Sequence, residues 1–195
     1  IIDNVVSSLA LVFYSLPVFV VAQFLIYIFA IILGMFPLSG ILSIDITYTS
    51  ILDYVKDLLW HLTLPAITLS LLLMATYMRI TRASMIEALS SNYVVAAKSR
   101  GLNPRRIIFK HALKNAMLPI VTIAGIQFGT MIGGVVITET IFSWPGVGRL
   151  TVEAVQYRDY PLLMGIFLIS AISVIIANLI TDIIYTIIDP RVKLR

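Results

Sequence analysis

Residues 160–181 read YPLLMGIFLISAISVIIANLIT and contain no Asp, Glu, Lys or Arg. A helix needs about 20 apolar residues to cross the roughly 30 Å hydrocarbon core of a bilayer, and this stretch is long enough. Three more charge-free stretches occur at 5–33, 62–78 and 115–138. Hydrocarbon offers no water to backbone groups, so these stretches should be helical. The sequence predicts an all-α, polytopic membrane protein with spans at about 6–33, 62–89, 115–138 and 160–188.

The composition supports this prediction, since 59% of the residues are hydrophobic and 12% are charged, against about 25% charged in average soluble domains. The basic residues are concentrated in two places. They are Arg79, Arg82, Lys98, Arg100, Arg105, Arg106, Lys110 and Lys114 between the charge-free stretches 62–78 and 115–138, and Arg191, Lys193 and Arg195 after the fourth span. The positive-inside rule places both groups, and both visible chain ends, in the cytoplasm. The loops 34–61 and 139–159 are then external. The net charge of +4 is not spread over a soluble face, so it does not indicate a nucleic-acid partner.

The sequence lacks the common catalytic and nucleotide-binding motifs. It has no Cys, no Gly-x-x-x-x-Gly-Lys-Ser/Thr phosphate loop, no His-Glu-x-x-His and no Gly-x-Ser-x-Gly. Its two histidines, His61 and His111, lie on opposite predicted sides, and neither has a second ligand at metal spacing. We therefore expect no enzyme activity, no metal and no cofactor bound by this chain.

Several local features within the spans carry further expectations. Pro17 is expected to kink the first span, and residues 53–60 to form a short amphipathic helix along the outer surface. The third span carries Gly125, Gly129 and Gly133 at four-residue spacing, which is typical of close helix packing. A pore-lining role with glycine hinges is compatible with that packing. Asp182 is the one carboxylate in the last span; a structural or interface role is favoured over a functional one.

The cytoplasmic loop 90–114 has the pattern of helix, stop and helix. Asn92 suits the N-cap of a helix over Tyr93–Arg100, and Gly101 suits a Schellman stop in which Leu102 contacts Ala97. Asn103 and Pro104 then restart a helix. The side chains of Tyr93, Ala96, Ala97 and Arg100 fall on one helical face. Such a face can dock into the groove of a partner protein or lie on anionic lipid, and the residues alone favour neither.

A resemblance favours docking. The stretch EALSSNYVVAAKSRGL at 87–102, followed by Arg105-Arg106, His111-Ala112-Leu113, Asn115-Ala116 and Leu118-Pro119, closely resembles the cytoplasmic loop of peptide-class ABC permeases. Ala96, Ala97 and Gly101 match the general pattern of that loop. Val95 stands where the general pattern has glutamate, and Lys114 stands where it has proline.

The resemblance implies that this loop is a coupling helix that contacts an ATPase. The implied contact residues are Tyr93, Val94, Ala96, Ala97, Arg100, Gly101 and Leu102. The stretches LGMFPLSG at 33–40 and ETIFSWPGVG at 139–148 look like the first of the two permeases in a peptide importer. They suggest an external loop or gate that contains Glu139, Phe142, Trp144, Pro145, Gly146, Arg158 and Asp159.

The resemblance also implies an assembly. A type I importer bundle would have six spans, two of them ahead of Ile1, in the plasma or inner membrane. Its partners would be a second homologous permease, two ATPases that use ATP and Mg²⁺, and an external substrate-binding protein. The expected cargo is an oligopeptide or dipeptide.

Three alternatives to peptide import are weighed against it. The first is ABC import of nickel, glutathione or an oligosaccharide, and the second is a secondary transporter driven by an ion gradient. A secondary transporter would want intramembrane carboxylates, and only Asp182 is available. The third, an intramembrane hydrolase, is disfavoured by the missing motifs.

Overall fold

The computed structural model describes residues 15–44 and 46–188, and no strand occurs in that part of the chain. The helices are α1 (Val18–Ile32), α2 (Ile51–Ser90), α3 (Asn92–Ser99), α4 (Pro104–Ile132), α5 (Val136–Ile141), α6 (Val147–Tyr157) and α7 (Tyr160–Ile188). The predicted all-α class is confirmed. The predicted first span before residue 15, Asp45 and the basic residues Arg191, Lys193 and Arg195 lie outside the described residues.

Three helices of the described residues, α2, α4 and α7, are long and apolar enough to cross a membrane. The first predicted span is described only as the shorter apolar helix α1, whose last turns, Ile26–Ile32, have π geometry. The expectation that Pro17 kinks a continuous helix is wrong. Its backbone is extended (φ −58°, ψ 143°), and it precedes α1 as the N-cap. A proline at a helix start loses nothing, because its missing N–H would have no intrahelical partner there.

Helix α2 is longer than predicted. It runs without interruption for 40 residues, although Pro65 lies inside it. The separate surface helix expected at 53–60 is therefore wrong, because no glycine or turn former divides these residues from the apolar run that follows. Trp60 Nε1 donates to the carbonyl of Met35 at 2.8 Å, which ties α2 to the segment after α1. The connection between α1 and α2 shortens to 33–50.

Asp57 organises that connection. The side chain is 7% exposed, and its carboxylate accepts the backbone N–H of Ser43 at 2.7 Å, the Ser43 hydroxyl at 2.8 Å and the Tyr48 hydroxyl at 2.6 Å. The hydrogen bond to Asp57 is the main cause that raises the pKa of Tyr48 above its usual 10.0, and desolvation and the Asp57 charge add to it. His61 Nδ1 lies 2.9 Å from the Asp57 carbonyl oxygen. Asp57 thus closes the connection onto the first turns of α2.

Helix α4 ends six residues before the predicted limit of the third span, at Ile132. Gly134 has φ +103°, a left-handed conformation that favours glycine, and α5 begins at Val136. A Cβ on Gly134 would collide with the backbone of Gly148. The predicted end of the third span at residue 138 is wrong, because the conformation of Gly134 and its contact with Gly148 stop the helix earlier.

The chain forms two compact units, and α2 and α7 contribute to both. The first unit comprises the described residues up to Ala75 together with Gly133–Ile169. Its core contains Val21, Ala22 and Leu25 of α1, Leu64 of α2 and Phe142, all at most 8% exposed. The turn after α5 therefore belongs to the core of this unit.

The second unit comprises Thr76–Ile132 and the chain from Ser170 onward. Here α4 packs on α7 through the predicted glycines. A Cβ on Gly125 would collide with Thr181, and one on Gly129 would lie 3.0 Å from the Cβ of Ala177. The close packing predicted for these two glycines is confirmed, whereas Gly133 lies beyond the helix end.

Polar groups add to the packing of the second unit. The hydroxyls of Thr122 and Tyr185 hydrogen-bond to each other. Asp182, on the same helix as Tyr185, is exposed.

Candidate functional site

Helix α3 is the short helix predicted between two membrane helices, and it begins one residue earlier than expected. The N-cap is Ser91 (φ −72°, ψ 153°), and Asn92 is the first helical residue. The Ser91 hydroxyl donates to the carbonyl of Ala88 in the last turn of α2. One residue thus ends α2 and starts α3, which leaves no linker between them.

The end of α3 is the predicted Schellman motif. Gly101 has φ +70°, its N–H donates to the carbonyl of Lys98 at 2.9 Å, and the N–H of Leu102 donates to the carbonyl of Ala97 at 3.3 Å. Leu102 also packs against the cluster that contains Ala97, the apolar contact that accompanies such stops. No atom lies within 4 Å of a Cβ built on Gly101. Glycine is needed there for its backbone conformation alone.

The restart of the chain after Gly101 also follows the prediction. Asn103 accepts the N–H of Arg105 at 2.9 Å through its side chain, and Pro104 is the first residue of α4. The Schellman stop at Gly101 and the cap at Asn103 therefore fix α3 against α4, with no flexible linker between them.

The predicted docking face of α3 is only partly exposed. Val94 and Ala97 are 0% and 2% exposed and pack with Ile107 of α4. Ala97 therefore lies in the interior of the unit, which corrects its placement on the surface of this face. Tyr93, Ala96 and Arg100 are exposed, and we call these three residues the docking ridge of α3 after the contact predicted for them.

A second set of predicted residues lies in α5, α6 and the turn between them, where Glu139 is central. Its Oε1 accepts the N–H of Val135 at 2.9 Å, and its Oε2 accepts the N–H of Arg149 at 2.8 Å. Val135 is the N-cap of α5 and Arg149 lies in the first turn of α6. The first N–H groups of a helix lack intrahelical partners, and an anion is favourable at that end. One carboxylate thus caps two helices.

Glycines make room for this carboxylate. A Cβ on Gly146 would collide with the carboxylate of Glu139, and one on Gly148 would lie 2.7 Å from the nitrogen of Val136 and 3.0 Å from Glu139 Oε2. The spacing Pro-Gly-x-Gly in the stretch 139–148 is therefore explained by close approach to Glu139.

The other predicted residues of this loop divide between core and surface. Phe142 is 2% exposed within the core of the first unit, and its carbonyl accepts the N–H of Gly40 at 2.8 Å. The N–H of Trp144 donates to the carbonyl of Glu139 at 2.8 Å. Pro145 is exposed. The turn is thus held to the protein by Phe142.

Arg158 and Asp159 lie at the far end of α6, away from Glu139. Arg158 has φ +55°; its N–H donates to Val155 at 3.1 Å, and the N–H of Asp159 donates to Ala154 at 2.9 Å. This is a second Schellman stop, here without glycine. The Asp159 carboxylate accepts the N–H of Leu162 at 3.0 Å in the first turn of α7. The structure gives both residues capping positions.

A cavity of about 160 Å³ lies beside Glu139. Leu62, Pro65 and Leu69 of α2, with Val135, Thr138, Glu139 and Trp144, line it. The hydroxyl of Thr138 is buried and has no hydrogen-bond partner among the described residues. The cavity is therefore largely apolar, with one unused polar group in its wall.

Helix α6 was not predicted, and neither were the roles of three residues: Gly148 and Arg149, which lie beside Glu139, and Gly134, which lies against Gly148. A signal for α6 was present. Val147, Leu150, Thr151 and Ala154 recur at i, i+3, i+4 and i+7, the spacing of an amphipathic helix. No local pattern relates the Glu139 side chain to the N–H of a residue ten positions later.

The comparisons with known proteins agree with the helices described. A family model described as a binding-protein-dependent transport system inner membrane component matches residues 1–194. The chain is 44% identical over 192 residues to a probable peptide ABC transporter permease, y4tP, of Sinorhizobium fredii, which covers 98% of this chain and 59% of that protein.

Two further relatives have similar coverage. The di/tripeptide transport system permease DppB of Pseudomonas aeruginosa is 39% identical over 98% of this chain and 61% of its own length. The dipeptide transport system permease DppB of Escherichia coli is 39% identical over 99% of this chain and 62% of its own length. The chain spans about three fifths of the length of these curated relatives.

Proposed function

The chain belongs to the family of binding-protein-dependent transport system inner membrane components, and we propose that it forms part of the translocation pathway of an ATP-driven peptide importer. The observation that carries the proposal is the docking ridge of α3, which caps at both ends fix between α2 and α4. Peptide cargo is supported by the names of the three relatives.

The docking ridge has the properties that a contact with a motor subunit requires. Tyr93 offers an aromatic side chain, Ala96 allows close approach and Arg100 supplies a charge. Val94 and Ala97 hold the helix from below, in contact with α4. They act as positioning residues, so movement of the ridge is passed to α4 and not absorbed by a flexible linker.

The charge pattern supports the direction in which the ridge points. Eight basic residues lie between the apolar stretches of α2 and α4, which favours a cytoplasmic location for α3 and an external one for α5 and α6. An ATPase uses cytoplasmic ATP, so a ridge on this side is where it would dock. The sequence contains no phosphate-binding loop, and hydrolysis of Mg-ATP is assigned to partner subunits.

The family description and the exposed surface support the remaining partners of the proposal. Large apolar side chains are exposed along α4 and α7, among them Phe128 at 61% and Ile169 at 57%. In the proposed assembly they contact lipid or a second homologous permease. An external binding protein would deliver the peptide on the side of α5 and α6. In this scheme the α5–α6 segment, held by Glu139 and Phe142, forms the outer end of the pathway.

The proposal is tested by charge reversal on the ridge. In the purified complex of the full-length permease with its companion subunits, we expect Arg100→Glu to reduce ATP-dependent peptide uptake into vesicles at least tenfold. Arg105→Glu is the matched control, because it makes the same charge change at an exposed site off the ridge. Its uptake should stay within about twofold of wild type. Equal uptake by the two variants would refute the docking role.

Two further arms of the same assay separate the alternatives. Uptake that continues without ATP but with a proton gradient would indicate an ion-coupled transporter. ATP-dependent uptake of nickel, glutathione or an oligosaccharide without uptake of di- or oligopeptides would retain the ABC mechanism and overturn the peptide cargo.

A further inference from the structure

A pocket of about 460 Å³ opens beside the start of α3, and its lining is basic. It is lined by Tyr93 of α3 and by Lys110, His111, Lys114 and Asn115 of α4. No acidic residue lines it, and neither lysine forms a salt bridge with any described residue. Two cations without a counter-charge face one cavity, so an anion would be favoured there.

The backbone of α4 is unusual at this pocket. Residues Ile107–Ala112 have π geometry. This geometry is rare in proteins, and where it occurs it is often at a functional site. Within this segment Ile107 and Ala112 are 2% and 0% exposed, whereas Lys110 is exposed. The segment is therefore fixed to the unit by its two ends while its lysine stays available to a ligand.

Apolar surface adjoins the cations. Phe109 and Ile108 are 68% and 37% exposed, and the charge-free stretch of α4 begins at Asn115. The pocket thus lies at the boundary between basic and apolar surface. A soluble anion would use only the charges, whereas a lipid with an anionic headgroup would use both surfaces.

We propose that this pocket binds the headgroup of an anionic phospholipid. Lys110 and Lys114 contact the phosphate, Tyr93 and Asn115 offer hydrogen-bond donors, and the acyl chains follow the charge-free stretch of α4 that begins at Asn115. Because Tyr93 lies in the first turn of α3 and the lysines belong to α4, a bound headgroup would join the two helices. The site is separate from the docking ridge except for Tyr93.

The test uses the full-length permease in its purified complex, stripped of lipid and titrated with phosphatidylglycerol, with bound lipid counted by native mass spectrometry. Each basic residue near an anionic surface adds to the attraction. We expect Lys110→Gln with Lys114→Gln to weaken retention at least tenfold. Lys110→Arg with Lys114→Arg should retain binding. Arg105→Gln with Arg106→Gln, the matched control, removes two charges outside the pocket and should change retention less than twofold.

Several results would overturn the proposal. They are equal weakening in the lysine-to-glutamine variant and the arginine control, equal retention of phosphatidylcholine, and full displacement of the lipid by millimolar inorganic phosphate, which would indicate a site for a free anion. Unchanged lipid retention with loss of the ATPase subunits would mean that the pocket serves a protein partner. Size-exclusion chromatography of each complex checks that it is intact; if the glutamine variant does not assemble, loss of lipid by the assembled arginine variant refutes the pocket.

Discussion

The carboxylate of Glu139 in α5 lies 2.8 Å from the backbone nitrogen of Arg149 in α6, and its other oxygen lies 2.9 Å from that of Val135. A hydrogen bond to a charged group contributes about 1.5–3 kcal/mol. Both donors stand at helix starts, where no backbone carbonyl can replace the carboxylate. The junction between the starts of α5 and α6 therefore depends on one side chain.

Replacement of this side chain tests that dependence. We expect Glu139→Ala to lower the unfolding free energy by about 2 kcal/mol, because two N–H groups lose a charged acceptor. The measurement is chemical denaturation of the purified complex in detergent. Glu153→Ala is the control: Glu153 pairs with Arg149 at 3.1 Å on the surface, and such pairs contribute at most about 1 kcal/mol. Similar losses in the two variants would contradict the capping role.

A methyl group at Gly148 should also be destabilising. Its Cβ would lie 2.7 Å from the nitrogen of Val136, and backbone atoms cannot move aside as a flexible side chain can. We expect Gly148→Ala to cost about 1–3 kcal/mol. Gly165→Ala is the matched control within α7, where no atom lies within 4 Å of the added Cβ; it should be neutral or gain up to about 1 kcal/mol. The same denaturation assay compares them.

Arg158 is a position where glycine should be better than the native residue. Its φ of +55° costs a residue with a Cβ about 1–2 kcal/mol. Glycine avoids this cost, but it loses more backbone entropy on folding, which offsets part of the gain. We expect Arg158→Gly to raise the unfolding free energy by about 0.5–1 kcal/mol. Arg158→Ala removes the charge but keeps the Cβ, so it should bring no gain. A gain of equal size with alanine would show that charge, not conformation, is the cause.

The Schellman stop at Gly101 predicts a ranking of substitutions. The site has space for a side chain but requires φ near +70°. Gly101→Ala should therefore destabilise α3 by about 1 kcal/mol, and Gly101→Asn by less, because Asn tolerates this conformation better. Protease cleavage at Lys98 and Arg100 in the intact complex measures the opening of α3. Faster cleavage in the Asn variant than in the Ala variant would contradict the conformational explanation.

Tyr48 predicts a change at high pH. Its pKa is raised mainly by the hydrogen bond to Asp57, so the folded protein holds the phenol proton more tightly than the unfolded chain does. This stabilisation is fully present below the ordinary pKa of 10.0 and is lost as the pH rises through the raised value. We expect the wild type to lose more thermal stability above pH 10.0 than Tyr48→Phe does. Parallel curves for the two proteins would contradict the coupling to Asp57.

The features of the fold that depend on neighbours in sequence were predictable. The spans follow from runs of apolar residues, and the stop at Gly101 with the restart at Asn103 follows from local backbone preferences. The ends of the spans were less accurate. The limit at Ile132 depends on Gly134, whose conformation is explained by contact with Gly148, fourteen residues away.

The candidate sites show the same division. The pattern of α3 indicated a helical face, but periodicity alone could not show that Ala97 packs on Ile107 while Ala96 remains exposed. In the loop predicted to be external, the important residues were found through resemblance. Their roles as caps for α5, α6 and α7 became visible only when side chains and backbone N–H groups were placed together.

The contacts of Glu139 are also close in sequence. The N–H groups that donate to its carboxylate lie four and ten residues away, so little chain entropy is lost when these hydrogen bonds form. Contacts of such short range form early in folding. The α5–α6 loop should therefore be complete during synthesis before α7 leaves the ribosome. A nascent chain stalled at residue 188 keeps α7 inside the ribosomal exit tunnel while α5 and α6 have emerged. We expect it to resist proteolysis at 142–146 in its wild-type form and to be cleaved there with Glu139→Ala.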